Sequence, residues 1–596
     1  MTVTSLFRRT ERDPVALAIL KNRFEAIARK MAHTLLKTGR SGVLNTARDF
    51  SCGILTADGE LVTGAECYPI HVLRGPDLMH ATMKAHHPDL RPGDAVLHNS
   101  PYHGNTHAAD HAILIPVFDG DGRHRFTTLV KAHQADCGNS IPTTYVGTAR
   151  DVYEEGAVIF PAVLVQRDYK DIDDIIRMCE MRIRVPDQWR GDYLAALGAA
   201  RIGEQELLKL GGERGWDALA GHTRAWFDYS ERRMVAALGK LKSGRAVAHG
   251  THDAIPGTPP DGVRVQADVT IDADAGRVSI DLTDNPDCMP NGLNLSEGCA
   301  LSAAIVGIFN CIDHTVPPNA GSLRRIDVKL RENCCVGIPR HPTSVSVATT
   351  NLSDRLSCAV QRAVAQIDPR FGMADGGPPF PPVAGVLSGF EPDTGAAYCN
   401  GILFAGSGGP GNPYTDGWVT LLSMGNAGMP QMHSIEVAEI QHPILIRERS
   451  IVPDSEGAGR RRGAPGTLTR FSPTAAPVEI GYVSDGTVHP AEGVGGGLPG
   501  GPSRQWRVAA DGSEHVLPTY GQVVLEPGES LVSITAAGGG FGDPLDREIE
   551  RVAEDVAEGW VGRQRAEAVY GVVFSADGGM DRDATLALRA SRRTAA

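Results

Sequence analysis

Glycine and proline are distributed so unevenly in this chain that they limit the folds it can adopt. Its 596 residues include 69 glycines and 39 prolines, a higher share than in average proteins. The two residue types concentrate in four segments, which are 370–432, 457–466, 493–502 and 538–544. These clusters have no collagen-like period, and apolar stretches continue between them, so collagen and disorder are both excluded. The clusters predict a large globular protein whose C-terminal half is rich in turns and close backbone approaches.

Helical and strand patterns alternate in the rest of the chain. Apolar residues recur every three or four positions over 14–38, which predicts a helix that Asp13 can cap. Residues 50–63 and 263–284 each show two strand patterns around a turn, as antiparallel hairpins do. We therefore expect an α+β fold in a large multi-domain chain, with mixed and antiparallel sheets, packed helices and a β-rich C-terminal part.

The length of the chain suggests two to four domains. A change of composition over 241–262 marks the first boundary between them. The predicted domains are an N-terminal α+β domain over 1–245, a middle α+β domain with Gly/Pro-rich loops over 246–440, and a β-rich C-terminal domain ending in a helix over 441–596.

Charge and hydropathy exclude several classes of partner. The formal net charge of −13 argues against a nucleic-acid-binding protein, which needs a basic face. No apolar run reaches the roughly 18–20 residues of a membrane span, and the first residues lack the apolar segment of a secretory signal. The eleven cysteines include no C-x-x-C pair. We therefore expect a cytoplasmic protein with free thiols, no nucleic-acid partner and no membrane contact.

Histidine is concentrated in the first quarter of the chain, where eleven of the twenty histidines lie within 150 residues. His107 and Asp110 are three residues apart, so both can point into one site from a turn. His133 ends a strand that is predicted to return beside 112–118, which brings it to the same place. Two imidazoles and a carboxylate suit Zn²⁺, Mn²⁺ or Fe²⁺. Asp49, just before the first predicted strand, could supply a further oxygen.

Four residues near this cluster are candidates for supporting or catalytic roles. His111 and Asp136 could fix the orientation and tautomer of a ligand, and Asp136 is also a candidate catalytic residue. Glu154 and Glu155 precede a predicted buried strand, and either could be a general base or a ligand. The alternatives are a hydrogen-bonded polar core for the histidines and an exposed strand start for the glutamates.

Other motifs in the chain have plain structural alternatives. No P-loop and no G-x-S-x-G motif occurs. G-x-G-x-x-G occurs at 406–411 and 495–500, but prolines follow instead of a helix, which favours turns over dinucleotide sites. Three consecutive arginines at 460–462 either bind an anion or form solvated surface. The glycine-rich loop at 536–544 either donates N–H groups to an anion or closes a domain.

Several stretches of the sequence together resemble the hydantoinase B/oxoprolinase family. The resemblance extends from about residue 13 to about residue 573, nearly the whole chain. The stretches that carry it include ARDFSCGILTADGELV, LRPGDAVLHNSPYHGNTHAAD, AHQADCGN, DVYEEGAVIFPAV and GGGFGDPLDREIERV. Such an extent is specific for the family and says little about the substrate.

The resemblance implies a partner and a cofactor. Members of this family work with an A-type subunit of actin-like ATPase fold, which binds ATP and phosphorylates a carbonyl oxygen of the substrate. The B-type subunit then completes the reaction and holds a divalent metal through residues that correspond here to Asp49, His107, Asp110 and His133. We therefore expect a hetero-oligomer with ATP on the A-type partner, which agrees with the missing P-loop.

The chain departs from the pattern of many relatives beside the predicted metal site. Those relatives have Asn-Asp-Pro-Tyr where this chain has serine at position 100, so a carboxylate is lost. The form Gly104-Asn105-Thr106-His107, in place of Gly-Gly-Thr-His, resembles the carboxylase branch of the family.

Three functional hypotheses follow from the resemblance and the residues. The first is the catalytic B-type subunit of an ATP-dependent cyclic-amide hydrolase, in which Glu154 or Glu155 transfers a proton and a small cyclic amide is the substrate. The second is a subunit of an ATP-dependent ketone carboxylase that uses bicarbonate and a small ketone. The third is a non-catalytic scaffold for the ATPase partner, which would need no metal.

Overall fold

The computed structural model of the chain describes residues 14–65, 67–576 and 578–595. Asp13, the predicted cap of the first helix, lies outside the described residues. The predicted α+β class is confirmed, because helices and several mixed or antiparallel sheets make up the fold. Among the described helices, none combines the length and apolar character needed to cross a membrane.

The N-terminal region is built on one antiparallel sheet of seven strands. Its strands are β1 (Phe50–Thr56), β2 (Leu61–Ala65), β3 (Ala95–His98), β4 (Asp110–Phe118), β5 (His124–His133), β6 (Val163–Arg167) and β7 (Lys170–Asp171). Its helices are α1 (Pro14–Thr38), α2 (Gly42–Asn45), α3 (Pro69–Val72), α4 (Pro76–His86), α5 (Val152–Glu155), α6 (Asp173–Arg182), α7 (Pro186–Arg214) and α8 (Trp216–Leu238). The strand order is β2-β1-β5-β4-β3-β6-β7.

The predicted helix over 14–38 and the predicted hairpin over 50–63 are confirmed by α1 and by the pair β1–β2. The apolar face of α1, which includes Leu20, Phe24 and Met31, is buried against the sheet and α7. Burying side chains of this size stabilises a fold by about 1.5–3 kcal/mol each. This packing holds β1, β5 and β4 side by side at the centre of the sheet.

The middle region pairs a mixed sheet of four strands with buried helices. Its elements are β8 (Gly244–His252), β9 (Val263–Asp272), β10 (Arg277–Asp281), β11 (Ile326–Lys329), α9 (Glu297–Phe309), α10 (Ala320–Leu323) and α11 (Asn351–Ile367). The pair β9–β10 confirms the predicted hairpin over 263–284, and β11 joins β10 in parallel. Strand β8 already begins at Gly244, just before the predicted domain boundary at residue 245.

The C-terminal region is rich in strands, as predicted. Its strands are β12 (Val386–Phe390), β13 (Ala397–Gly401), β14 (Ile444–Ile451), β15 (Thr467–Pro473), β16 (Val478–Val483), β17 (Arg504–Val508), β18 (Glu514–Val516), β19 (Tyr520–Leu525), β20 (Ser530–Ile534), β21 (Val573–Phe574) and β22 (Met580–Asp581). Its helices are α12 (Ile435–Gln441), α13 (Ile549–Ala557), α14 (Arg563–Ala568) and α15 (Arg582–Ala595). Strands β12 and β13 share a sheet with β16 and β19, so this sheet includes strands from both sides of residue 440.

The glycine-rich loops of the C-terminal half pack backbone against backbone. A Cβ atom on Gly538 would overlap the carbonyl oxygen of Gly409, so only glycine fits there. Each N–H group over 537–542 donates a hydrogen bond to a backbone carbonyl oxygen. The loop at 536–544 is therefore a closing turn, and those N–H groups are not available to an anion.

Candidate metal centre

Two neighbouring strands and the loop before them bring three of the predicted ligands together. Strand β4 begins at Asp110, and its antiparallel pairing with β5 places Asp110 directly opposite His133. His107 lies in the loop that enters β4. Ligand atoms of these three side chains all lie within 4.8 Å of one another, and all three residues are buried. The prediction that they converge is confirmed.

Asp49 and His71 border this triad. Asp49 immediately precedes β1, and its carbonyl oxygen accepts a hydrogen bond from the His133 backbone N–H (3.0 Å). Nε2 of His71 lies 3.4 Å from Oδ2 of Asp110 and 3.8 Å from Oδ1 of Asp49. The chain therefore provides a buried cluster of three imidazoles and two carboxylates. His71 carries no spacing signal in the sequence that would predict a role, although it lies in the region that resembles the family.

Hydrogen bonds from the surrounding chain orient the ligand side chains. Nδ1 of His107 lies 2.7 Å from the carbonyl oxygen of Ser346. Because a carbonyl oxygen only accepts, Nδ1 carries a proton, and in the neutral tautomer the lone pair of Nε2 faces the cluster. Burial alone would lower the pKa of His107, but the charges of Asp110 and Asp49 outweigh it and the net pKa is raised. Thr106 donates its hydroxyl hydrogen to Asp110 Oδ2. Nδ1 of His133 lies 3.0 Å from Oδ1 of Asp110.

Two polar atoms in the cluster have no hydrogen-bond partner. Among the described residues, Nε2 of His107 and Oδ1 of Asp49 are both buried and form no hydrogen bond. Nε2 lies 3.1 Å from Oδ1 of Asp110, which is an acceptor, as Nε2 is in the neutral tautomer. Buried polar atoms without partners are rare in folded proteins, because each one loses its hydration without compensation. A divalent cation would satisfy both atoms. The nitrogen and oxygen donors fit Zn²⁺, Mn²⁺ or Fe²⁺.

Burial and charge set the protonation of the cluster. Burial lowers the pKa of His71 to about 3, so this imidazole is neutral. Burial also raises the pKa of Asp49 to about 6. Burial alone would raise the pKa of Asp110, but the imidazoles of His107 and His71 outweigh it, and the net pKa lies well below the usual range. Neutral imidazoles and ionised carboxylates are the forms that bind metal ions.

A buried lysine lies behind the carboxylate of Asp110. Lys131 is fully buried, and its Nζ lies 3.4 Å from the hydroxyl oxygen of Thr106, which in turn donates to Asp110. Burial lowers the pKa of Lys131 to about 8, while the charge of Asp110 opposes this shift. Lys131 lies two residues before His133 on β5, so its side chain shares the face that His133 presents.

The structure places the proposed orienting residues away from the ligand atoms. The carboxylate of Asp136 accepts two hydrogen bonds from Arg184, one from its Nη1 (2.9 Å) and one from its backbone N–H (2.6 Å). His111 contacts Trp189, with Nδ1 at 3.4 Å from the indole nitrogen. Among the described residues, the backbone of Ser346 and the hydroxyl of Thr144 contact the ligand imidazoles instead.

The two neighbouring glutamates occupy different environments. Both lie in the short helix α5, which Asp151 caps, and the predicted buried strand after them begins only at Val163. Glu154 is partly exposed and forms an ion pair with Arg150. Glu155 is buried, and its Oε2 accepts a hydrogen bond from Ser344 (2.7 Å). Burial raises the pKa of Glu155, and the charge of His107 partly opposes this shift.

This fold and this polar centre define the class of protein. Residues 13–544 match the sequence pattern of the hydantoinase B/oxoprolinase family. The chain belongs to that family, and the resemblance seen in the sequence is confirmed.

The sequences of individual relatives align with most of the chain. Caprolactamase subunit beta of Pseudomonas jessenii is 28% identical and aligns over 97% of this chain and 99% of its own length. The 5-oxoprolinase of Saccharomyces cerevisiae is 23% identical over 90% of this chain, which spans only 42% of that larger protein.

Solved structures show the same architecture. The crystal structure of the ATP-dependent caprolactamase from Pseudomonas jessenii superposes with a TM-score of 0.87 at 26% identity, over 97% of this chain and 99% of that one. Acetone carboxylase in its nucleotide-free structure gives a TM-score of 0.86 at 18% identity, over 98% of this chain and 83% of that one. At that identity the second likeness shows the fold alone.

Proposed function

We propose that this chain is the metal-bearing B-type subunit of an ATP-dependent cyclic-amide hydrolase. The observation that carries the proposal is the convergence of His107, Asp110 and His133 on one buried point, next to two polar atoms that lack partners. The similarity to caprolactamase subunit beta over nearly the full length of both chains supports an amide as the substrate. An A-type partner would bind ATP and phosphorylate the carbonyl oxygen.

The residues of the centre have separate tasks in this proposal. His107, Asp110, His133 and Asp49 would hold the divalent metal, which polarises a carbonyl or lowers the pKa of a bound water. The carbonyl of Ser346 keeps His107 in the tautomer that presents Nε2.

We assign proton transfer to Glu155 in place of Glu154 or Asp136. Glu155 is buried, and burial raises its pKa toward the range that suits a general acid or base. Ser344 donates to Oε2, which fixes the orientation of the Glu155 carboxyl. Glu154 and Asp136 are instead engaged with arginine side chains.

The test is reconstitution with the A-type partner, ATP and a panel of cyclic amides. We expect ring opening together with amide-stimulated phosphate release. Glu155→Gln should lower the turnover by roughly 100-fold to 10,000-fold, as loss of a general acid does. Glu154→Gln is the matched control and should retain nearly full turnover. The absence of both ring opening and stimulated phosphate release would contradict the proposal.

The second candidate is a subunit of an ATP-dependent ketone carboxylase. Asn105, the residue that suggested it, donates through Nδ2 to the carbonyl oxygens of Asn99 (3.2 Å), His107 (2.7 Å) and Asp110 (2.8 Å). The side chain thus ties the ligand loop together, which explains its presence without a particular reaction. Carboxylation of acetone with bicarbonate in the same reconstitution would favour this candidate. A scaffold without catalytic function would bind no metal.

A further inference from the structure

A narrow cavity lies directly beside the metal centre. Asp49 and His133 form its inner end. Its other walls come from two distant parts of the chain, the N-terminal region near Val43 and Tyr145 and the loop-rich segment 380–430. This position makes it the space in which the part of the substrate that does not react would lie.

We infer that this cavity takes the hydrocarbon part of a small uncharged substrate, so that the protein acts on simple lactams or ketones and not on cyclic amides that carry a carboxylate. The inference rests on the proposed function, since it assumes that the metal centre is where the substrate reacts. It goes further by naming the chemical class of the substrate.

The composition of the walls is the first argument. Apart from Asp49 and His133, the described residues of the lining include no charged side chain, and most of them are apolar. Phe380, Leu422 and Leu403 form the outer wall, and the first two are almost fully buried. A carboxylate placed against such walls would lose its hydration and would find neutral hydroxyl and amide donors, such as Thr144 and Tyr145, but no cation to pair with.

The charge of the centre is the second argument. A divalent cation held by the carboxylates of Asp49 and Asp110 has its two positive charges balanced by two negative ones. The one further cation at this end, Lys131, lies behind Asp110 and does not line the cavity, so it cannot pair with an anion placed there. Within the part of the chain that the structure describes, no lysine or arginine lines the cavity to attract an anion from the other end.

Backbone strain in the outer wall is the third argument. Phe380 has a φ of 66° and Leu422 a φ of 72°, both in the left-handed region that non-glycine residues avoid. Such conformations persist only where the surrounding structure holds them, and they cluster at ligand sites. Both side chains point at the same cavity, so the strain places apolar groups against it.

Aromatic rings connect this wall to the metal centre. The rings of His133 and Tyr145 lie 6.0 Å apart, and those of Tyr145 and Phe380 lie 5.5 Å apart. The cavity volume is only about 30 Å³, which is space for about one water molecule. A ring-sized ligand enters only when wall side chains move, which restricts the substrate to a small size.

The test compares two probes that differ only in a carboxylate, 2-pyrrolidone and 5-oxoproline. Binding of each to the full-length, metal-loaded chain is measured by saturation-transfer NMR and by competition between the two. We expect 2-pyrrolidone to bind at least tenfold more tightly than 5-oxoproline. Equal or tighter binding of 5-oxoproline overturns the inference, and so does the absence of binding by either probe.

A variant that places a cation in the wall tests the same preference in the opposite direction. Leu403 is half-buried, so Leu403→Arg can place a guanidinium in the cavity, and it should raise the affinity for 5-oxoproline at least tenfold. Leu403→Met is the matched neutral control and should keep the original preference. If Leu403→Arg does not fold, Pro430→Lys supplies a cation at a second half-buried position of the lining, with Pro430→Gln as its control. An unchanged preference in a folded cation variant overturns the inference.

The outcomes separate this inference from the proposed function. If 2-pyrrolidone is preferred in binding but no cyclic amide is hydrolysed with the A-type partner and ATP, the proposed function fails while the binding preference stands. If amides are hydrolysed and 5-oxoproline is the preferred one, the inference fails while the proposed function stands.

Discussion

Two buried clusters of charged side chains in this protein differ in whether all of their polar atoms have hydrogen-bond partners. In the C-terminal region, Arg547 donates to both carboxylate oxygens of Asp416 (2.7 and 2.9 Å) and to Asp555 (2.8 Å), and Arg462 donates to Asp555 (3.0 Å). Donors and acceptors match there, as in other bidentate arginine–carboxylate pairs. In the metal centre, acceptor atoms converge and two of them lack partners. Converging acceptor atoms without partners, and not the density of buried charge, distinguish the proposed metal centre from the matched cluster.

The contacts of the arginines at 460–462 fit the same comparison. Arg462 is buried and meets a carboxylate of its own chain, that of Asp555, while its guanidinium stacks over Trp560 at 4.3 Å. Arg460 is exposed. Of the two alternatives that the sequence left open, solvated surface therefore describes Arg460, while Arg462 binds an anionic group of its own chain.

The largest expected effect is on stability, from breaking the matched cluster. Arg547→Met leaves the carboxylates of Asp416 and Asp555 buried without their main partner. We expect the free energy of unfolding to fall by about 3–5 kcal/mol, measured by denaturant titration. Metal content of the folded protein should stay unchanged, and a loss of less than about 1 kcal/mol would show that the cluster is not the structural unit described here.

The next effect is on metal affinity, from removing a ligand of the centre. His133→Ala should weaken metal binding by at least about 100-fold, because one of few protein donors is lost. Metal content after dialysis and competition with a chromogenic chelator measure this. His86→Ala, at an exposed histidine outside the cluster, is the control. Native metal content and full activity in His133→Ala would rule out the proposed centre.

A smaller effect on metal affinity is expected from the residue that holds Asp110. Thr106→Val removes the hydroxyl that donates to Oδ2 of Asp110 and contacts Lys131, with little change of shape. We expect affinity to fall by about 10-fold to 100-fold, as for other groups that orient a metal ligand. Thr128→Val is the matched control, because its buried hydroxyl donates to the carbonyl of Ala200 instead. Equal affinity in the two variants would contradict the role of Thr106.

The smallest effect is expected at an exposed ion pair near the matched cluster. Arg593 and Asp546 form a pair in which both side chains are more than half exposed. Arg593→Met should lower the free energy of unfolding by less than about 1 kcal/mol, because water screens such pairs. The same denaturant titration measures it. A loss as large as that of Arg547→Met would remove the contrast between buried and exposed pairs.

The centre could be predicted from the sequence where its residues are linked by local rules. His107 and Asp110 are three positions apart, and His133 follows from the pairing of two predicted strands. Nothing in the sequence connects His107 to Ser346, because the contact joins positions 239 residues apart. His71 lies on a helix of only four residues, which is too short to show periodicity.

The different environments of Glu154 and Glu155 also have a local cause that the sequence does not show. Asp151 caps a short turn that directs Glu155 inward and Glu154 outward, whereas the sequence shows only two adjacent acids before an apolar stretch. The bounds of α1 match the prediction because one apolar face determines them. The segment 370–432 was predicted to be mostly loop, and that prediction could not show that its side chains form the outer wall of the cavity.

The outer wall and the metal ligands occupy separate stretches of the polypeptide. The ligands lie between Asp49 and His133, whereas Phe380, Leu403 and Leu422 lie within 43 residues of one another, much later in the chain. The proposed ligands and the outer wall can therefore change independently in sequence, whereas the walls near Val43 and Tyr145 come from the same region as the ligands. Exchanging the later stretch between relatives would change the substrate preference and leave the reaction unchanged.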